Sequence, residues 1–341
     1  MNDLIITPDE NFTADFQKAE AEKRSGPAFP VVDGHVDLPY FLDRNAAGAT
    51  FGDLEAGPFT LEKARDAGVK LFCTALYCED RFNGDGALRH FEGLYDFAMK
   101  AIKPAPVVKS GEEMDGVLED PEALGTLLLL ENADLLAGNP AYAEELKFKG
   151  IRIVGLTHAG RNRLADGNGI PYPDGLTPEG REAVRVLGDT GLLIDVAHLH
   201  PTCFWQLIRI HDGPIITSHT GIRNLLDTPR NIALEQIKEI RERGGMIGIA
   251  LNPEMLAPDG NAGIEDVFAH LDTVVQKFGP AAVGIGSDFC GFDTPAEGLE
   301  DISRIGELRK HLLAHGYGND AVEAIMGRNW IDLFRRMCVR P

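Results

Sequence analysis

From Pro30 onward, short apolar runs rich in valine and isoleucine alternate with amphipathic segments. This alternation predicts β-strand–α-helix units and a parallel sheet. The eight candidate strands are VVDGHVD from Val31, VKLFCTALY from Val69, TLLLLE from Thr126, IRIVGLTH from Ile151, GLLIDVAH from Gly191, PIITSH from Pro214, GMIGIAL from Gly245 and AVGIGSDF from Ala282. Eight strands in strict alternation with helices favour a closed (β/α)8 TIM barrel of the α/β class over an open doubly wound sheet.

Helix boundaries are marked by capping residues and breakers. Thr60 can cap a helix that stops near Gly68, and Thr177 with Pro178 opens another. The clearest helix is predicted over 264–278, with one apolar stripe and a stop at Gly279-Pro280. No GxGxxG follows the first strand and no GxxxxGK[ST] occurs, so nucleotide-binding folds lose their main support.

The chain of 341 residues is long enough for two ordinary domains, but barrels of this length form one. Residues 1–28 are expected to be an extension packed on the outside of the fold, with a short helical segment over 16–23 that ends at Gly26-Pro27. We therefore expect a single (β/α)8 catalytic domain over residues 29–341.

The charge balance limits the classes of partner. There are 53 acidic and 33 basic residues, a net charge of −20, which argues against binding to nucleic acid or to an anionic membrane. The N-terminus has no signal-peptide pattern and the C-terminus no hydrophobic tail, so a cytoplasmic location is expected by default. The five cysteines form no CxxC pair and are expected to be reduced and mostly buried.

Polar side chains end most of the predicted strands, and active sites of such barrels lie at the carboxyl ends of the strands. A histidine and a carboxylate two residues apart in a strand share one face, as His35 and Asp37 do. The residues collected in this way are His35, Asp37, Glu131, His158, His198, His219 and Asp288. Imidazoles and carboxylates at one rim are the donor set of a divalent metal site.

Two divalent ions about 3.5–4 Å apart need a bridging carboxylate and terminal imidazoles, and they lower the pKa of a shared water toward about 7. Glu131 is suited to be the bridge. The bound hydroxide would attack an amide carbonyl, and Asp288, after the GIGS turn, is suited to proton transfer. His200 offers another imidazole beside His198, but Pro201 predicts that His200 lies at a turn and outside the metal shell.

Seven ordered motifs cover most of the chain: DGHVDLPY, GLTHAGRNRLADG, GLTPEGREAVR, IDVAH, TSHTGIRNLLDTPRN, VGIGSDF and PAEGLEDIS. In these motifs the chain resembles the membrane (renal) dipeptidase family of zinc peptidases, peptidase family M19. The resemblance implies that His35 and Asp37 bind one zinc ion, that His198 and His219 bind the other, and that Glu131 bridges them. It implies that His158 contacts the substrate or its oxyanion, that Asp288 transfers protons, and that Arg230 holds the substrate's terminal carboxylate.

The chain departs from the family pattern at two places. Glu131 is followed by Asn132 where family members commonly have glycine, and AHLHPTCF stands where the family usually has a serine before the histidine. Neither difference removes a ligand, but both affect the pocket wall. The termini differ from the secreted, lipid-anchored animal enzymes, so the chain is similar to a bacterial-type intracellular member.

We therefore expect a metallodipeptidase of the amidohydrolase type with two Zn²⁺ per subunit, and both L,L and L,D dipeptides are candidate substrates. One alternative is a zinc hydrolase of another small amide or a lactone. An alternative of a different class is a non-catalytic relative that binds a small metabolite or tailors a peptide, although retention of every proposed ligand disfavours it. Parallel helices outside the barrel could support a homodimer.

Overall fold

The computed structural model describes residues 29–337 of the chain, and their strands form one closed parallel barrel. Each strand pairs with the next along the chain, and the barrel closes where Asp33 of β1 pairs with Ile285 of β8. The strands are β1 Val31–Val36, β2 Val69–Tyr77, β3 Gly125–Glu131, β4 Ile151–Gly155, β5 Leu193–Asp195, β6 Ile215–Thr220, β7 Met246–Ile249 and β8 Val283–Ile285. The predicted (β/α)8 barrel is confirmed.

Helices surround the barrel. In chain order they are α1 Leu38–Asn45, α2 Leu61–Asp66, α3 Ala87–Ala101, α4 Gly111–Glu119, α5 Tyr142–Lys149, α6 Pro178–Thr190, α7 Pro201–Leu207, α8 Leu234–Glu242, α9 Ile264–Phe278, α10 Ile305–Ala314, α11 Asn319–Glu323 and α12 Asn329–Met337. A π-helical turn, Ala324–Arg328, joins α11 to α12. Over residues 29–337, no helix is long and apolar enough to cross a membrane.

The predicted helix starts are confirmed by their caps. The backbone N–H of Lys63 donates to Oγ1 of Thr60 over 3.2 Å, and that of Gly180 donates to Oγ1 of Thr177 over 2.9 Å. These bonds satisfy amide groups that a helix start leaves without an intrahelical acceptor. The helix predicted over 264–278 has the same bounds in the structure.

The strands bury both faces, as parallel barrels require. Along β3 every residue is buried, and its side chains alternate between two apolar clusters. Leu128 and Leu130 pack in the layer between sheet and helices, whereas Leu127 and Leu129 belong to a second cluster that includes Trp330 of α12. The indole Nε1 of Trp330 donates to the carbonyl of Ile285 over 2.8 Å, which anchors the last helix on the barrel.

Three strands come unusually close at the level of Ser218. A Cβ atom on Gly248 of β7, or on Gly286 just after β8, would collide with the backbone carbonyl oxygen of Ser218 in β6. Glycine is the residue that allows two backbones to approach this closely. The layer directly below the polar rim is therefore built from backbone.

Among the described residues, Cys73, Cys78, Cys203 and Cys290 are buried and form no disulfide, as predicted. The fifth cysteine, Cys338, lies outside the described residues, and so does the predicted extension over 1–28 with its helical segment.

Candidate active site and metal centre

The residues predicted at strand ends lie around one cavity of about 590 Å³ at the carboxyl end of the barrel. Asp37, Glu131, His158, His198, His219, Arg230 and Asp288 line the cavity. His35 lies just beneath its wall, with only 1% of its surface exposed. The strands thus bring together side chains that are up to about 250 residues apart in the sequence.

Glu131 stands between the imidazoles. Its Oε1 lies 2.9 Å from Nε2 of His198, and its Oε2 lies 3.9 Å from Nε2 of His35. Nε2 of His35 is 3.4 Å from Oδ2 of Asp37, and Nε2 of His198 is 3.2 Å from Nε2 of His219. The two oxygens of one carboxylate therefore face two different groups of donors.

These donors fit divalent metal ions. Nε2 of His35 is buried and has no hydrogen-bond partner in the described part of the chain. His35, Asp37 and Glu131 have ligand atoms within 4.8 Å of one another, and Glu131, His158 and His198 form a second such group. Imidazole nitrogens and carboxylate oxygens that converge in this way are the ligands preferred by zinc and similar ions.

Ser218 orients two of the imidazoles, and the sequence did not single it out. Its Oγ lies 3.1 Å from Nδ1 of His35 and 2.9 Å from Nδ1 of His219. A hydroxyl oxygen accepts two hydrogen bonds, so both rings can donate Nδ1–H to Ser218 and keep Nε2 as a lone pair. One hydroxyl can therefore set the metal-binding tautomer of both histidines.

Two buried aspartates hold the strand ends that carry the histidines. Oδ1 of Asp33 accepts from the backbone N–H of His35 and of Ser287, and Oδ1 of Asp195 accepts from those of Ala197 and Ser218. Their signal in the sequence is an aspartate two or three residues before a strand-end histidine, in DGH and DVAH.

Opposing charges and burial set the protonation of the imidazoles and carboxylates. Burial alone would lower the pKa of His35, but the carboxylates of Asp37 and Glu131 outweigh it and raise that pKa to about 10. Burial and the Arg230 guanidinium lower the pKa of His198 to about 3. Burial would raise the pKa of Glu131, but the hydrogen bond from His198 and the positive charge of His35 hold it below its usual range. Glu131 is therefore ionised and His198 neutral, the forms in which these groups bind metal ions, whereas His35 holds a proton that a bound ion would displace.

Asp288 lies in the cavity wall next to Asn252 and His219. Nδ2 of Asn252 donates to its Oδ2 over 2.9 Å, and its Oδ1 lies 3.8 Å from Nε2 of His219. Burial, with the charge of Asp37 as the next cause, raises the pKa of Asp288 to about 7. A carboxyl group with a pKa near neutrality both accepts and releases a proton readily.

His158 has partners that sequence reasoning missed. Its Nδ1 lies 3.4 Å from Oδ2 of Asp80 and 3.5 Å from the hydroxyl of Tyr77, and its ring packs on that of His198 with centroids 4.4 Å apart. Asp80 also accepts from the backbone N–H of Gly160 over 3.0 Å. The sequence does carry a signal, because CED follows TALY at the end of β2 and places two acidic residues beside that strand end.

Arg230 lies in the loop after β6, on another wall of the cavity. Its Nη2 donates to the carbonyl of His219 over 3.1 Å, while its Nε is buried without a hydrogen-bond partner in residues 29–337. Burial lowers the pKa of this guanidinium. A half-buried cation with an unused donor is suited to an anionic group of a ligand.

Residues 21–338 match the model of the membrane dipeptidase family, peptidase family M19. The chain belongs to this family. The predicted resemblance is confirmed, and with it the prediction of an enzyme of the metallodipeptidase type.

Among the relatives of this M19 family member is Dipeptidase tcpJ of Claviceps purpurea, 30% identical over 89% of the chain and 69% of the relative. An uncharacterized dipeptidase of Schizosaccharomyces pombe is 25% identical, covering 90% of the chain and 80% of the relative. Dipeptidase 3 of the rat is 24% identical over 91% of the chain, which spans 65% of that relative's length.

Solved structures match the barrel of this family member. A metallopeptidase from Rhodobacter sphaeroides, liganded with a phosphinate mimic of L-Ala-D-Ala, superposes with a TM-score of 0.80 at 23% identity. That match covers 91% of the chain and 99% of the other protein. The structure of dipeptidase AC gives a TM-score of 0.82 at 24% identity, over 92% and 99% of the two chains. Both likenesses support the fold.

Among the described residues of this family member, four residues other than glycine have a left-handed backbone: Asn132 with φ 71°, His198 with φ 63°, Asp288 with φ 66° and Cys290 with φ 74°. Side chains other than glycine rarely adopt this conformation, and such strain is concentrated at functional sites. Position 132 is commonly glycine in the family. Asparagine is among the other residues that best tolerate a left-handed backbone. Nδ2 of Asn132 donates to the carbonyl of Cys78 over 2.7 Å. An asparagine in place of glycine is therefore compatible with the left-handed backbone at position 132.

His200 lies outside the cavity, as predicted. It caps α7, and its Nδ1 accepts from the backbone N–H of Thr202 over 3.0 Å. The second departure from the family pattern thus leaves the proposed ligand set unchanged.

Proposed function

We propose that this chain hydrolyses the peptide bond of dipeptides at a centre that holds two zinc ions. The observation that carries the proposal is Glu131, whose two oxygens face His198 and His35 separately. Asp37 would complete one group with His35, and His219 would complete the other with His198. A carboxylate between two groups of donors is what a pair of nearby ions requires.

When bound, two such ions would lower the pKa of a shared water toward about 7 and polarise a carbonyl oxygen. The protein's own residues supply the remaining steps. Asp288, with a pKa near 7, would take a proton from the attacking water and deliver it to the leaving amine. His158, oriented by Asp80, would donate to the oxygen that becomes negative when the carbonyl is attacked.

Arg230 would bind the terminal carboxylate of the dipeptide. Its unused Nε and its place in the cavity wall support this role. Both L,L and L,D dipeptides are proposed as substrates, because the Rhodobacter sphaeroides relative holds a mimic of L-Ala-D-Ala. The catalytic domain in this proposal is the single barrel of residues 29–341.

Hydrolysis of a mixed panel of L,L and L,D dipeptides by the zinc-loaded full chain tests the proposal. His219→Ala removes a proposed ligand, whereas His200→Asn changes a histidine outside the cavity and retains a side chain that can cap α7. The wild type and His200→Asn should release free amino acids, and His219→Ala should not.

If two zinc ions bind but no dipeptide is cleaved, the substrate is another small amide or a lactone, or the pocket only binds a metabolite. If His219→Ala is as active as the wild type, the proposed ligand set is wrong.

A further inference from the structure

A second cluster of metal-binding side chains lies on the outer helices. Glu265 is in the first turn of α9, His311 is in the last turn of α10, and His315 directly follows α10. Ligand atoms of these three residues lie within 4.8 Å of one another. None of the three lines the barrel cavity.

Helical spacing explains why the two imidazoles meet. His311 and His315 are four residues apart, so they lie on one face of the helix, and their ring centroids are 4.2 Å apart. Phe268 of α9 packs against both rings, with centroid distances of 5.1 Å to His311 and 4.2 Å to His315. Because Phe268 is three residues after Glu265, the same face of α9 presents both the ring and the carboxylate.

The nitrogen atoms are arranged for coordination. Nδ1 of His315 lies 2.9 Å from the carbonyl oxygen of His311, which can only accept, so this Nδ1 carries a proton and Nε2 keeps its lone pair. Nε2 of His311 is buried, has no hydrogen-bond partner in the described structure, and lies 3.2 Å from Oε2 of Glu265. A backbone carbonyl that fixes the tautomer of a histidine is a common feature of metal sites.

We propose that Glu265, His311 and His315 form a surface site for a divalent transition-metal ion such as Zn²⁺, separate from the barrel centre. Two imidazoles and one carboxylate suit Zn²⁺, Ni²⁺ and Cu²⁺ better than Mg²⁺ or Ca²⁺. With zinc–ligand bonds of about 2.0–2.2 Å, neighbouring ligand atoms lie about 3.4 Å apart. The distance of 3.2 Å between Glu265 and His311 already agrees with this spacing.

The two residues that must adjust are exposed. The side chain of Glu265 is 71% exposed, and His315 is exposed as well, so both can rotate toward an ion at small cost. Water would fill the remaining coordination positions. The bound ion would connect the two helices that flank β8 in the chain, and a ligand that binds only the folded state stabilises it.

Equilibrium dialysis of the full chain against micromolar zinc, followed by metal analysis, tests this site. His315→Ala and Glu265→Gln each remove one ligand at an exposed position. The matched control is Glu307→Gln. It removes an exposed carboxylate of α10 that pairs with Lys310 and not with the two histidines. Wild type and control should each bind one more zinc ion per chain than the two ligand variants.

His219→Ala distinguishes the surface site from the barrel centre. This variant should still bind the additional zinc ion that His315→Ala no longer binds. A crystal of the zinc-loaded protein should show anomalous scattering between the three side chains. Equal zinc content in the wild type and in both ligand variants would overturn the proposal. Binding of the additional zinc ion only at millimolar zinc would overturn it as well. Glu265 and His311 would then form an ordinary ion pair.

Discussion

Oδ2 of Asp80 lies 3.4 Å from Nδ1 of His158, so a carboxylate from the end of β2 orients an imidazole that follows β4. This contact leaves Nε2 of His158 as the ring nitrogen for a ligand in the cavity. Asp80 is itself held by the backbone N–H of Gly160. The pair therefore extends the candidate site beyond the proposed metal ligands.

Asp80→Asn should lower kcat for dipeptides about tenfold while metal content stays the same, because the amide holds the ring of His158 less firmly. Steady-state kinetics with metal analysis measure both quantities. Glu79→Gln is the control, since Glu79 is in the same loop but pairs with Arg81. An unchanged kcat in Asp80→Asn would show that His158 needs no orienting carboxylate.

Asp288→Asn should keep both metal ions and lose turnover by about 10²–10⁴-fold, because the amide can no longer accept and release a proton. It should also keep the hydrogen-bonding contact with Asn252, so the fold should not change. Single-turnover kinetics and metal analysis of the same preparation check the prediction. Full activity in this variant would remove Asp288 from the mechanism.

Arg230→Leu should raise KM by about tenfold or more for dipeptides with a free terminal carboxylate, because a charge-assisted hydrogen bond is lost. Dipeptide amides serve as the internal control, since they carry no carboxylate for Arg230 to bind. Their KM should differ little between variant and wild type. If KM for free dipeptides does not change, the carboxylate is recognised elsewhere in the cavity.

Asn132→Ala should reduce the free energy of unfolding by about 1 kcal/mol more than Asn132→Gly does. Both variants lose the hydrogen bond to Cys78, but only alanine must hold a Cβ atom at φ 71°. Denaturant unfolding of the two variants under the same metal conditions measures the difference. Equal stabilities would mean that the backbone relaxes out of the left-handed region.

Asp166→Asn should destabilise the protein most at neutral pH and progressively less in acid. Burial would raise the pKa of Asp166, but hydrogen bonds from Gly175 and Arg161 outweigh it and lower that pKa. A carboxyl group whose pKa is lower in the folded state stabilises the fold at pH values above its pKa of about 3.9 in the unfolded chain. This stabilisation is lost as the pH falls through the pKa of the folded state. The free energies of unfolding of wild type and variant should therefore differ at pH 7 and converge below pH 4. A difference that grows in acid would falsify this assignment.

Much of the barrel follows from local patterns in the sequence. The bounds of β2 and of α9 were predicted as observed, because their apolar spacing and breakers are local. Strand β5 was predicted over 191–198 but spans only Leu193–Asp195. Val196 and Ala197 are still buried, but they lie beyond the hydrogen-bonded strand. The backbone then turns to a left-handed conformation at His198.

The convergence of the imidazoles and carboxylates could be predicted, since parallel strands bring their carboxyl ends to one rim. The residues that orient these side chains could not be predicted equally well. Ser218 meets His35 across 183 positions of sequence, and Asp80 meets His158 across 78. A single serine or aspartate forms no periodic pattern in the sequence. Its contact with a histidine can therefore be recognised only in the closed barrel.

The close approach of Gly248 and Gly286 to the carbonyl of Ser218 limits how this pocket can diverge over evolutionary time. No side chain can be added at those two positions, because the backbone of β6 already fills the space that a Cβ atom would need. We therefore expect new substrate preferences to arise at loop residues that line the cavity, such as Asn168, Thr228 and Asn252. Inherited variation can change these loops while the packing of the three strands stays the same.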